Sequence, residues 1–160
     1  MVSANQTHLE TTGIAGFLSQ KGYDAIPIRQ NTAGLLLVTV KVNGIEGLFI
    51  LDTGAGVSVI DSRHASRLQL TLQKDSTSFT GAGAGGHGLE VIPSEGNKIE
   101  IGNHIVTDFT LSVMSFEHVS QALTEAGCEE FLGAIGVDIL KPGKAIIDYG
   151  TMTLYLSSEK

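Results

Sequence analysis

Apolar residues in this chain fall into short runs, some alternating and some unbroken, punctuated by glycine, asparagine and proline. That is the pattern of strands joined by tight turns. Residues 35–42 alternate towards their end, Asn43-Gly44 follows, and residues 45–51 return to apolar character. Asn-Gly between apolar runs predicts a hairpin, because both residues tolerate positive φ. The returning strand closes on Phe49-Ile50-Leu51, an unbroken apolar run that suits a sheet covered on both faces, so Asp52 is expected at a strand end inside the protein. Downstream, residues 68–72 alternate as a strand, and strand-like runs at 77–80 and 89–92 flank a glycine-rich stretch. Residues 98–101 and 105–114 predict a further hairpin across Gly102-Asn103, and two last strands are expected at 145–148 and 152–156.

Helical spacing is scarce. Thr11 or Thr12 can cap a short helix whose Ile14, Phe17 and Leu18 form one apolar stripe, ended by Gly22 and packed on the outside of the domain. Asp61 is a good N-cap for a short helix through Arg67. Ser115 caps another with Phe116, Val119 and Leu123 on one face, closed by Gly127. No internal repeat and no linker long enough to split domains is present. The fold class is therefore all-β: mainly strands, with a few short helices.

Length and composition narrow the function classes. A chain of 160 residues with 42% hydrophobic content predicts one domain with a real core. Its net charge of −7 argues against a nucleic-acid partner, whose phosphates would be repelled. Cys128 is the single cysteine, so no disulfide can form within the chain. No apolar run approaches the roughly 18 residues of a membrane span. The first residues lack a charged n-region and an apolar core. The expected location is periplasmic or secreted if a signal segment has been removed, and cytoplasmic otherwise.

The stretch that carries chemistry is Asp52-Thr53-Gly54-Ala55-Gly56, set between the apolar runs 49–51 and 57–60. An ionised carboxylate at a buried strand end is unfavourable unless paired or hydrogen-bonded. Glycines here let the backbone turn tightly and let another chain come close. Strand–Asp-Thr-Gly-Ala resembles the active-site loop of aspartic proteases in its retroviral form, of which this chain has one copy where pepsin-like enzymes have two. The resemblance extends over about residues 34–157 and looks most like the bacterial, single-domain members of the group. It implies a retropepsin-like acid protease barrel with one lobe per chain; residues 1–33, outside the resemblance, read as a leader and short helix.

The resemblance implies roles for particular residues. Asp52 would be the catalytic acid, meeting its symmetry mate in a homodimer at about 3 Å so that the two share one proton. Thr53 would bond across the dimer axis, and Gly54 and Ala55 would line the floor under the substrate backbone. Gly83, Gly85, Gly86 and His87 would belong to a glycine-rich flap closing over the substrate. Ala134-Ile135-Gly136 matches the family's second signature, two apolar residues and a glycine before a short helix, which holds the active loop rigid from behind. Gly56 and Val57 replace the acidic residues that grip the substrate's main chain in the retroviral enzymes, so peptide specificity does not carry over.

Other motifs weaken on inspection. Gly81, Gly83 and Gly86 satisfy G-x-G-x-x-G, but Pro93 and the β-like surroundings deny the helix that a dinucleotide site needs. Asp148, before Tyr149-Gly150, reads as a turn residue. Cys128 and His118 make no convincing nucleophile pair, and the five histidines show no metal-ligand spacing. The reading is an aspartic endopeptidase, needing no metal or cofactor, that acts on a peptide or protein substrate. The alternative is a non-catalytic relative that keeps the barrel for dimerisation or peptide binding.

Overall fold

The computed structural model describes residues 13–73, 79–83 and 86–159. Strands β1 (Tyr23–Pro27), β2 (Arg29–Gln30), β3 (Leu36–Val42), β4 (Ile45–Leu51), β5 (Val59–Asp61), β6 (Phe79–Gly83), β7 (Gly86–Ile101), β8 (His104–Met114), β9 (Gly133–Ile135), β10 (Ile146–Asp148) and β11 (Thr153–Ser157) make up most of the regular structure. The helices are α1 (Ile14–Gln20), α2 (Glu117–Glu125) and α3 (Val137–Leu140). Eight strands run in the order β2-β3-β4-β9-β5-β8-β7-β6, and an added β3–β7 pairing closes six of them, from β3 round to β7, into a barrel. A separate sheet, β1-β11-β10, holds the chain's last strand in its centre. The all-β expectation holds.

The β3–β4 hairpin turns on Asn43 (φ 52°) and Gly44 (φ 84°), both left-handed as a two-residue turn of this type requires. Strand β3 alternates buried and exposed side chains over Val38–Val42, and Val40, Val42 and Phe49 are fully enclosed. The barrel interior is completed by Ile60, Ile99, Leu111 and Ile135. Parallel pairing of β4 with β9, Phe49 opposite Gly133 and Leu51 opposite Ile135, brings the end of β4 beside the start of α3.

Several expectations change. In α1 only Leu18 is buried; Ile14 and Phe17 are 62% and 58% exposed, so the residues do not form one packed stripe. The helix starts at Ile14 with Gly13 as its N-cap and no side-chain cap bond, while Thr11 and Thr12 lie outside the described residues. Residues 23–30, expected in the leader, form β1 on β11 and β2 on β3. After Asp61 the predicted helix shrinks to a 3₁₀ turn, Ser62–His64. No strand forms over 68–72: Gln69 takes φ 57°, which breaks the alternation, and Leu68 N–H bonds back to His64 O. Residues 89–92 and 98–101 belong to one long strand, β7, with register shifts between Ser94 and Asn97 and between Asn97 and Ile99. Pro93 is paired with Ser112 of β8 and its carbonyl accepts from Gln73 N–H (3.1 Å).

Candidate active site

Strand β4 ends at buried Leu51, and the next residue, Asp52, is exposed rather than inside the protein. The chain emerges there because Asp52 N–H donates to Ile135 O (3.0 Å), the last rung of the β4–β9 ladder, after which small residues turn it away. One carboxylate oxygen of Asp52, Oδ1, accepts from Gly54 N–H at 2.9 Å. Among the described residues no hydrogen bond reaches Oδ2, and none reaches the hydroxyl of exposed Thr53. Ala55 N–H closes the turn onto Asp52 O (3.2 Å). Space beside Gly56 is open among the described residues, none of which has an atom within 4 Å of a Cβ built there, and Val57 stands 49% exposed.

Beneath this exposed loop lies a sealed floor. Residues 131–136 are all buried. A Cβ on Gly133 would collide with the Val59 carbonyl, and one on Gly136 would sit 2.7 Å from Ala55 O and 2.8 Å from Val57 O. Both glycines are needed for close approach of backbone to backbone. Val137 N–H donates to Ala55 O (2.8 Å). Ala134, Ile135 and Gly136 are thus brought directly behind the loop that carries Asp52.

Two residues that the sequence did not single out complete the support. Fully buried Ser58 donates its N–H to Asp138 Oδ2 (2.8 Å) and its hydroxyl to Asp138 Oδ1 (2.7 Å), while Gly136 N–H donates to Ser58 Oγ (2.9 Å). No local signal joins positions eighty residues apart; only the β4–β9 and β5–β9 pairings bring them together.

Strands β6 and β7 pair antiparallel from Phe79 opposite Val91 to Gly83 opposite Gly86. Gly83 and Gly86 are the last paired residues of this hairpin. Gly85 lies outside the described residues, as does the side chain of His87. Asp148 is the turn residue expected: its carboxylate accepts from Gly150 N–H (2.8 Å) and the Thr151 hydroxyl (2.9 Å). These bonds hold it below the ordinary carboxylate value, the Thr151 hydroxyl most of all. Cys128 Sγ lies 3.4 Å from Thr32 Oγ1.

The other notable carboxylate is Asp61, which is completely buried. It accepts from Arg63 Nε (3.0 Å) and Nη2 (2.7 Å), and Ser120 Oγ lies 3.4 Å away. Burial pushes its carboxyl up, but the bonds from Arg63, the Arg63 charge and a backbone N–H from Phe116 together bring it below the ordinary value. Two clefts of about 330 and 240 Å³ flank Arg63 and α2, and Asp52 lines neither. Among the described residues no three His, Cys, Asp or Glu side chains are grouped to hold a metal ion. No helix among them is long and apolar enough to cross a membrane.

Comparison with known proteins agrees with this architecture. The family model described as aspartyl protease matches residues 38–139. Among solved structures, a retropepsin-like aspartic protease from Rickettsia conorii is similar with a TM-score of 0.58 and 22% identity, covering 84% of this chain and 98% of that one. The EIAV protease complexed with the inhibitor HBY-793 is similar with a TM-score of 0.54 and 20% identity, over 75% of this chain and 98% of that one. The retroviral protease-like domain of Ddi1 from Leishmania major reaches 0.53 and 18% identity, over 78% and 90%. No curated protein sequence matches the chain.

Proposed function

Because the chain belongs to the aspartyl protease family, we propose that it is an aspartic endopeptidase whose active centre forms between two copies, each supplying one Asp52. The observation that carries this reading is the state of Asp52 in the single chain. Its carboxylate stands exposed on a braced loop, with one oxygen held by Gly54 N–H and the other unclaimed among the described residues. One ionised acid cannot both take a proton from water and give one to a carbonyl. Two carboxylates brought to about 3 Å by a twofold axis share a proton, because their mutual repulsion raises one pKa.

The ionised member takes a proton from a bound water as that oxygen bonds to the scissile carbon, and the protonated member gives its proton to the carbonyl oxygen. The resulting diol returns a proton to the dyad as the C–N bond breaks and the departing amine accepts one. One water is consumed, an acid and an amine are released, and the dyad ends with the single proton it began with. Thr53, with its hydroxyl unpartnered among the described residues, bonds across the axis. Gly54 and Ala55 lie under the substrate backbone, and the β6–β7 hairpin, with Gly83 and Gly86 its last described pair, closes over it as a flap.

The test is peptide-library cleavage by wild type and Asp52→Asn, with sedimentation of both. Wild type is expected to cleave as a dimer, and an excess of the variant is expected to poison it by forming dimers with a single acid. Equal cleavage by Asp52→Asn, or an active species that is strictly monomeric, would overturn the reading. A folded dimer that binds peptides and cleaves none would mark the non-catalytic alternative.

A further inference from the structure

We infer that Asp138 is a positioning residue: acting through Ser58, its carboxylate fixes the Asp52 loop at the height where two such loops can share a proton. This rests on the reading above. The loop's exposed residues (52–54, 56 and 57) have little packing of their own, so hydrogen bonds must hold it. Its first half is tied by Asp52 N–H to Ile135 O and by Val137 N–H to Ala55 O. Its second half, up to buried Ser58, is tied to Asp138.

The chemistry of that tie is specific to a carboxylate. Ser58 presents two donors, its N–H and its O–H, and Asp138 meets each with a separate oxygen. Ser58 Oγ is already accepting from Gly136 N–H, so every polar group in the cluster is satisfied. An asparagine has only one acceptor oxygen. Given to Ser58 N–H, that oxygen leaves the amide NH₂ facing Ser58 Oγ and the serine proton without an acceptor. Charge-assisted bonds are also stronger than neutral ones, which suits a brace on a loop that must not drift.

The expected results follow from geometry. A loop displaced by about 1 Å loses on the order of 100-fold in rate. Asp138→Ala is therefore expected to lower kcat by roughly that factor while changing KM by less than about threefold, with Asp138→Asn between it and wild type. Loosening the loops also weakens the coupling of the two Asp52 carboxylates, so the upper limb of the pH–rate bell should move down towards an ordinary carboxylate value. Amide exchange at residues 55–58, 136 and 137 should quicken in Asp138→Ala without any need for activity. Ser58→Ala and Asp138→Asn carry the test if Asp138→Ala does not fold.

A folded variant with wild-type kcat and an unmoved bell overturns the inference. So does a lower kcat with an unmoved bell, which marks a general structural role. If wild type shows no Asp52-dependent cleavage, the proposed function fails by itself. The exchange data then judge the brace alone, and unchanged protection overturns it.

Discussion

Asp52 closes β4 and Asp61 closes β5, and both strands hydrogen-bond to β9, yet the two acids have opposite surroundings. Asp61 is sealed, with Arg63 donating two bonds to Oδ2 and the backbone N–H groups of Arg63 and Phe116 donating as well. Asp52 is exposed, with one bond from its own loop. A buried, fully partnered carboxylate has no capacity left for a substrate; it belongs to the structure. An exposed acid on a braced loop keeps an oxygen available while its position is held from below. Under the proposed function, burial would single out the wrong aspartate, and the unclaimed lone pairs are what single out Asp52.

The most severe way to break this contrast is to neutralise each acid in turn. Asp52→Asn preserves the acceptor for Gly54 N–H, so its melting temperature should match wild type, while kcat/KM for peptide cleavage falls about 10³-fold or more through loss of general acid–base chemistry. Asp61→Asn should do the reverse, keeping cleavage within a few-fold and losing stability. A result in which Asp61→Asn abolishes cleavage at full stability would undo the assignment of roles.

How much of this was legible in the sequence follows the range of the interactions. The β3–β4 hairpin was readable because Asn43-Gly44 encodes its turn locally, and the place of Asp52 just past a strand end was readable because small residues follow an apolar run. The exposure of Asp52 was not, since a run of three apolar residues does not say on which side of its end the surface lies. The Ser58–Asp138 brace and the Asp61–Ser120 contact were invisible because each depends on distant segments being paired first. Residues 68–72 alternate in a strand's period, but a left-handed Gln69 turns them instead. In α1 the spacing was helical, but the apolar side it implied is exposed at Ile14 and Phe17.

The same contrast between open loop and sealed floor can be sharpened with glycines. Gly133→Ala forces a methyl into the Val59 carbonyl, a backbone atom that cannot swing aside. Overpacking of this kind should cost about 3 kcal/mol in a denaturant titration. Gly56→Ala adds the same methyl where no atom of the described residues lies within 4 Å, and its unfolding midpoint should stay at the wild-type value. Gly47→Ala falls between them, because the obstacle there is the movable end of the Leu132 side chain. Equal losses at Gly133 and Gly56 would mean that the loop is packed as tightly as its floor.

The mildest test concerns Asp61 and pH. Its carboxyl is held below the ordinary value of about 3.9, so the folded state binds its proton less readily than the unfolded chain. The stabilisation is therefore present in full above the ordinary carboxylate range. It is lost progressively as pH falls through the folded-state pKa. Asp61→Asn removes that titration and replaces charge-assisted bonds by neutral ones, which should cost about 2 kcal/mol at neutral pH. Wild type and variant should then converge in stability below pH ~4 in urea titrations. Asp52→Asn gives the comparison its control, because it leaves the Asp61–Arg63 pair intact. If the two stability curves for wild type and Asp61→Asn stay parallel down through the acid range, Asp61 is not contributing as an ion, and its sealed surroundings act only as packing.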